Sequence, residues 1–323
     1  MFRTKSDWLP VVSLSLAMVL WAVSFIAVKL AVNVYDPFFV VFGRMIVAVL
    51  CFLLLIGKLR GNTYRVGDLK YILFMLLCEP CLYFIFEAKA IQNTTASQAG
   101  MITAILPLMV AIAARIFLRE TISRRTLSGF VLAVLGVCWL SLGSEPSQSS
   151  PDPALGNLLQ FIAMGCATGY IIALKRLSER YRPLFLTALQ ALAGSLFFLP
   201  FLLLRPSSLP THFDATPLLS ILFLGVFVTF GAYGLYNYGV SRIAANQAAA
   251  FVNLIPVFTV MLGWAILGEQ LTGSQYIACA LVFLGVFLSQ EKIERAPILL
   301  PELAHAQARA SYAQHTAAST RQN

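Results

Sequence analysis

Ala96–Glu120 reads ASQAGMITAILPLMVAIAARIFLRE, and Ala245–Glu269 reads ANQAAAFVNLIPVFTVMLGWAILGE. In one ungapped register Gln98 falls on Gln247, Pro107 on Pro256, Leu118 on Leu267 and Glu120 on Glu269. Past the glutamates, Leu132, Leu135, Gly136 and Val137 fall on Leu281, Leu284, Gly285 and Val286. The 43 pairs from Ala96 to Cys138 contain 10 identities. Apolar helices share Leu and Val by chance. Chance does not readily place Gln, Pro, Glu and Gly in one register, so the segment reads as a duplication. Each copy is an apolar helix, a short polar hinge and a second apolar helix.

The surrounding chain sets the solvent. Of 323 residues, 59% are hydrophobic and 11% charged, with a mean hydropathy of +0.80. Soluble domains are about a quarter charged, and this much apolar surface would form large patches in water. Lipid is the expected solvent. The net charge of +9 comes from short basic groups between apolar runs. That is unlike a nucleic-acid footprint, which gathers on one face or helix, and no nucleic-acid partner is expected. The six cysteines lie within apolar runs, away from the three histidines. They read as small core residues, with no metal or cofactor site expected. The apolar run from Leu9 is too long for a signal-peptide core and is taken as the first span.

A span needs about 20 mostly apolar residues. Ten segments qualify, near 9–30, 37–57, 69–90, 96–118, 126–142, 155–177, 183–204, 217–239, 246–268 and 273–290. The expected fold is an all-α membrane protein. Residues 1–142 form a first group of five helices, and 155–290 form a second. The polar stretch 143–154 links them, and 291–323 is expected to be a disordered tail or a loose helix.

Charge sets the expected orientation. With the N-terminus inside, 18 lysines and arginines fall on the inner side and only Lys29, Lys89 and Arg205 on the outer. Both termini are therefore expected in the cytoplasm, and the linker outside. Five spans per group is an odd number, so the second group enters the membrane upside down relative to the first. Lys29 and Pro37 also match Lys175 and Pro183 at a constant offset. Inverted repeats are typical of secondary transporters, whose halves expose a midplane site to each side in turn.

Trp21, Phe25 and Lys29 in the first span, Arg44 in the second, and the two Pro-to-Glu-to-Gly segments resemble the EamA-type transporters of the drug/metabolite transporter superfamily. The resemblance runs from about Leu9 to Gln290. It implies two inverted five-helix repeats, with helices 1, 3, 4, 6, 8 and 9 around a central cavity and helices 5 and 10 behind. It also implies export or exchange of small metabolites, often amino acids, across a bacterial inner membrane. The Trp-Gly of the family pattern is Trp21-Ala22 here, and Gln190 falls near the position matching Arg44.

Ionisable groups inside spans cost about 2.5–3.5 kcal/mol on insertion scales and should face a cavity or a partner. Glu79, beside Pro80 near the middle of the third span, is the main candidate for substrate or proton coupling. The structural alternative is an ion pair with Arg44. Glu87 reads as a solvated rim residue, while Lys29, Lys175 and Arg115 read as snorkelling near helix ends. Glu120 and Glu269 follow helix ends and are expected to cap the next helix in sequence. Pro107 and Pro256 complete the candidate hinges. Cavity candidates are Trp21, Phe25, Glu79, Tyr83, Gln98, Tyr170, Tyr233, Asn237, Gln247 and Asn253. The competing reading for each is an interfacial aromatic or an interhelical hydrogen bond, and Tyr236 and Tyr238 best suit the interface belt.

The expected function is transport of small organic metabolites, by secondary or facilitative export. Multidrug efflux is the alternative within that class, and a membrane sensor or scaffold is the alternative outside it. No P-loop is present in the sequence, and no histidine lies in a span, so neither ATP-driven transport nor an intramembrane enzyme is expected. The partners are a small molecule, the bilayer and, for a coupled mechanism, protons. A monomer and a homodimer are both compatible with the sequence.

Overall fold

A computed structural model describes residues 8–59, 64–118, 124–142, 144–204, 209–243 and 245–289. Glu120 and the tail after Ser289 lie outside the described residues. Residues up to Ser289 form one compact unit. Within it the described residues form ten apolar helices. They are α1 (Trp8–Val32), α2 (Pro37–Leu53), α3 (Leu69–Asn93), α4 (Ala96–Phe117), α5 (Arg124–Leu142), α6 (Pro153–Leu177), α7 (Pro183–Leu204), α8 (Ala215–Arg242), α9 (Gln247–Leu267) and α10 (Gly273–Ser289). By length and composition seven are able to cross a membrane, while α2, α10 and the apolar part of α5 are shorter.

The outer faces carry the apolar surplus. Leu196, Leu199 and Leu203 of α7, Trp264 of α9 and Phe287 of α10 are all exposed, as befits contact with lipid tails. Lipid supplies no hydrophobic drive for helix pairing, so close packing must hold the bundle. The crossing of α5 and α10 shows how. A Cβ at Gly136 would lie 2.9 Å from the Ala278 carbonyl oxygen and 2.9 Å from the Val282 nitrogen. One at Gly285 would lie 2.5 Å from the Gly129 carbonyl oxygen and 2.7 Å from the Ala133 nitrogen. In the repeat register Gly136 matches Gly285, Gly129 matches Ala278 and Ala133 matches Val282. The two glycines therefore fill reciprocal places in one backbone-to-backbone contact.

Local helix geometry repeats as well. Proline has no N–H to offer the carbonyl four residues back. Thr103–Ile105, ahead of Pro107, and Phe251–Asn253, ahead of Pro256, both tighten into a 3₁₀ turn. In α3 the backbone widens to a π turn over Leu77–Leu82, with Pro80 inside it and a cis Glu79–Pro80 bond. α8 widens over Leu224–Ala232, at the matching level. α9 ends at Gly268, whose φ of 67° is left-handed and suits glycine.

Both helix-end lysines bind backbone carbonyls. Lys29 is 2% exposed. Its ammonium donates to the Ile91 and Thr94 carbonyl oxygens, each at 2.7 Å, and to the Ser149 carbonyl. Lys175 donates to the Val240 oxygen at 3.0 Å and the Ile243 oxygen at 2.7 Å. Snorkelling is the wrong reading of Lys29: the unpaired carbonyls ending α3 attract a cation more strongly than the solvent boundary does.

Glu269 also departs from expectation. It caps the start of α4, not of the α10 helix that follows it. One carboxylate oxygen accepts from the Ala96 N–H at 2.9 Å. The other accepts from the Ser97 N–H at 2.9 Å and the Ser97 hydroxyl at 2.5 Å. The cause is proximity: α9 packs along α4, and Gly263 brings its backbone against Ser97. The carboxylate therefore meets the free amides of α4 first.

Candidate functional site

A central cavity is enclosed by α1, α3, α4, α6, α8 and α9, with Arg44 entering from α2. Its volume is about 40 Å³, room for about three waters. A metabolite needs the same walls in a more open arrangement.

The charged side chains in the wall are Arg44, Glu79 and Glu87, each at least 94% buried. The Arg44 guanidinium donates to the Thr229 hydroxyl at 3.0 Å and lies 4.4 Å from the centre of the Phe84 ring. Its ion pair is with Glu87, at 3.8 Å. The expected Arg44–Glu79 pair is replaced for a reason of depth. Arg44 is seven residues past the start of α2 and Glu87 six before the end of α3, so at 1.5 Å per residue both lie roughly 10 Å from the same end of the bundle. Glu87 is accordingly buried, not solvated at a rim. Tyr83, one turn away, donates to its other oxygen at 2.7 Å.

Glu79 sits deeper, in the π turn, where its backbone leaves helical geometry. One carboxylate oxygen accepts from the Tyr233 hydroxyl. Gln190 donates to the Glu79 backbone oxygen at 3.4 Å. Arg44 and Gln190, at corresponding places in α2 and α7, thus each reach the widened turn of the opposite half, at Thr229 and Glu79.

The aromatic wall centres on Trp21. Its ring lies 5.2 Å from that of Tyr233 and 4.8 Å from that of Tyr236. The Trp21 indole N–H and the Tyr236 hydroxyl are buried with no hydrogen-bond partner among the described residues. Tyr236 is fully buried, so its placement in the interface belt is corrected: Trp21 draws it inward by ring packing. Only Tyr238 stays half-exposed, with Arg242 over its ring at 5.4 Å.

Of the sequence candidates, Trp21, Phe25, Glu79, Tyr83, Tyr170 and Tyr233 line the cavity. Asn237 stands behind that wall. It accepts from the Tyr170 hydroxyl and donates to Thr187 at 2.9 Å and Gln190 at 3.0 Å. Gln98 is elsewhere, in a polar cluster at the start of α4, where it accepts from Asn157 at 3.0 Å, Ser144 at 3.0 Å and Thr94 at 3.1 Å. Gln247 and Asn253 are not in the cavity wall. Glu87 and Tyr236 are the wall residues assigned elsewhere from sequence. Eight-residue spacing from Glu79 was the signal available for Glu87, and three-residue spacing from Tyr233 the signal for Tyr236. Among the described residues no group of His, Cys, Asp and Glu side chains has metal-binding geometry.

Known proteins place this arrangement. The EamA-like transporter family matches residues 8–142 and 154–290. The uncharacterized transporter YetK of Bacillus subtilis is 30% identical over 86% of this chain and 86% of its own. An uncharacterized transporter of Archaeoglobus fulgidus is 29% identical over 86% of this chain and 98% of its own. A solved crystal structure, 16% identical, superposes with a TM-score of 0.62 over 88% of this chain and 98% of the other, which supports the fold. These relatives are transporters, not enzymes, and a transporter set in lipid acts on a small molecule. The chain is a multi-pass membrane protein and belongs to the EamA-like transporter family.

Proposed function

We propose that this protein exports small organic metabolites, amino acids or related compounds, by alternating access across a bacterial inner membrane. All ten helices cross the bilayer in this reading. Residues 8–142 and 154–290 form oppositely inserted halves, and both termini are cytoplasmic. The lengths of the short helices are compatible with it: 17 residues in α2, 19 in α5 and 17 in α10 fall within the range of about 17–25 for a span.

The observation that carries the proposal is the cavity itself. It lies between helices of both halves and gathers three buried charged side chains in an otherwise aromatic and apolar wall. A binding site needs an apolar enclosure with a few polar groups to orient its ligand, and intramembrane charge marks a substrate or ion path. The two halves rock about the proline-associated 3₁₀ turns of α4 and α9. Energy comes from the substrate gradient or from protons exchanged at Glu79.

Reconstitution into proteoliposomes tests this. Uptake across an amino-acid and drug panel, with and without a pH gradient, is expected to identify at least one transported metabolite. Transport of none would sink the proposal. Transport confined to bulky drugs would favour multidrug efflux. Proton dependence that survives Glu79→Gln would remove Glu79 as the coupling group.

A further inference from the structure

The cavity's charges do not balance. One guanidinium, Arg44, stands against two carboxylates, Glu79 and Glu87. Arg44 lies 3.8 Å from Glu87 and is also tied to Thr229. Glu79 has only the Tyr233 hydroxyl as a side-chain donor among the described residues. When Glu79 is ionised the surplus negative charge resides there, and an uncompensated charge this deep is costly. Beside it are Trp21 and Tyr233, whose electron-rich faces attract cations. Trp21 and Tyr236 also keep buried donor groups with no partner among the described residues. A buried donor without an acceptor costs about 1–3 kcal/mol, and a ligand acceptor would remove that cost.

We infer that the substrate is a small organic monocation, with an ammonium group seated at Glu79 and a neutral oxygen acceptor facing the Trp21 indole N–H and the Tyr236 hydroxyl. The inference rests on the transport reading above and narrows its substrates to amines related to amino acids, setting the amino acids themselves aside. A substrate carboxylate would find no cationic partner in this arrangement, because the single guanidinium already serves Glu87 and Thr229. A zwitterion brings no net charge and leaves the imbalance in place. The ammonium supplies the missing positive charge, and a hydroxyl or carbonyl oxygen at the far end satisfies the idle donors.

Three probes of one shape separate the possibilities: tyramine, a cation; tyrosine, a zwitterion; and 4-hydroxyphenylacetate, an anion. Binding to the full-length protein in detergent is read by calorimetry and by the shift in melting temperature. Tyramine is expected to bind and raise the melting temperature, and the other two are expected to leave it unchanged. Glu79→Gln is expected to weaken tyramine about tenfold or more. The charge series on the unmodified protein carries the test if that variant does not fold. Preferential binding of tyrosine or 4-hydroxyphenylacetate overturns the inference and leaves transport standing. Binding of none of the three also overturns it, since a proton alone would then balance Glu79. Failure of the transport reading shows separately, as absence of uptake across the whole proteoliposome panel with tyramine added to it.

Discussion

Lys29 holds the end of α3 as Lys175 holds the end of α8. Lys29 bonds the Ile91 and Thr94 carbonyls, and Lys175 bonds those of Val240 and Ile243. Ile91 and Val240 are separated by the same 149 residues as Gln98 and Gln247, and so are Thr94 and Ile243. The lysines themselves are 146 residues apart, the offset of Pro37 and Pro183. A shared clamp is stronger support for duplication than shared apolar residues, because it reproduces an interaction and not only a composition.

Lys29→Met is expected to destabilise the protein by roughly 2–3 kcal/mol, since it strands buried carbonyls that had charged donors. Lys175→Met should cost less, because Lys175 is half-exposed and water replaces part of what is lost. Thermal unfolding in detergent, followed by circular dichroism, ranks the two. An equal or reversed order would contradict the clamp assignment.

Glu269→Gln is expected to cost about 0.5–1 kcal/mol, through loss of negative charge at the α4 N-terminus. Glu269→Ala removes the acceptors as well and should cost about 1–2 kcal/mol. Amide hydrogen exchange at Ala96 and Ser97 localises the effect. Protection lost at the start of α10 instead would restore the sequential-cap reading.

Arg44 and Glu87 should be energetically coupled. Arg44→Met alone leaves a buried carboxylate uncompensated and is expected to cost about 3–5 kcal/mol. Adding Glu87→Gln should recover part of that cost. The cycle of Arg44→Met with Glu79→Gln should show a smaller coupling energy. Larger coupling to Glu79 than to Glu87 would mean that the ion pair is misassigned.

Gly285→Leu is expected to abolish or severely reduce folded protein, because even its Cβ meets backbone atoms of α5 at 2.5–2.7 Å. Gly231→Ala serves as a control, its Cβ lying 3.4 Å from the nearest atom. Fluorescence size-exclusion profiles of the two proteins compare yield and dispersity. Comparable monodisperse peaks would refute the close-contact argument.

What the sequence made legible is what hydropathy and register encode. Long apolar runs placed the helices, and Gln98, Pro107 and Gly136 with their partners exposed the repeat. Depth along a helix was also legible: Glu79 and Arg44 were placed inside spans, and both reach the cavity. Direction around the helix was not. An ideal helix advances about 100° per residue, and the π turn at Leu77–Leu82 changes the facing of the residues beyond it. Glu87 was assigned to a solvated rim for another reason: the third span was read as ending near residue 90, whereas α3 runs on to Asn93 and leaves Glu87 at the depth of Arg44. Tyr236 was assigned to the interface because Arg242, the end of its helix, is near in sequence, while its ring contact with Trp21 spans some 200 residues. Glu269 failed as a local prediction for the same reason. Its partners are 172 and 173 residues away, and capping rules read only neighbours.

The Glu269 cap has a consequence for the order of synthesis. The first turn of α4 is complete in the chain by about Ala99, but the carboxylate that fastens its Ala96 and Ser97 amides arrives some 170 residues later. Until then those amides must be served by water or headgroups at the membrane surface. The first half can enter the bilayer early, yet the seating of α4 waits for the last hairpin to leave the ribosome.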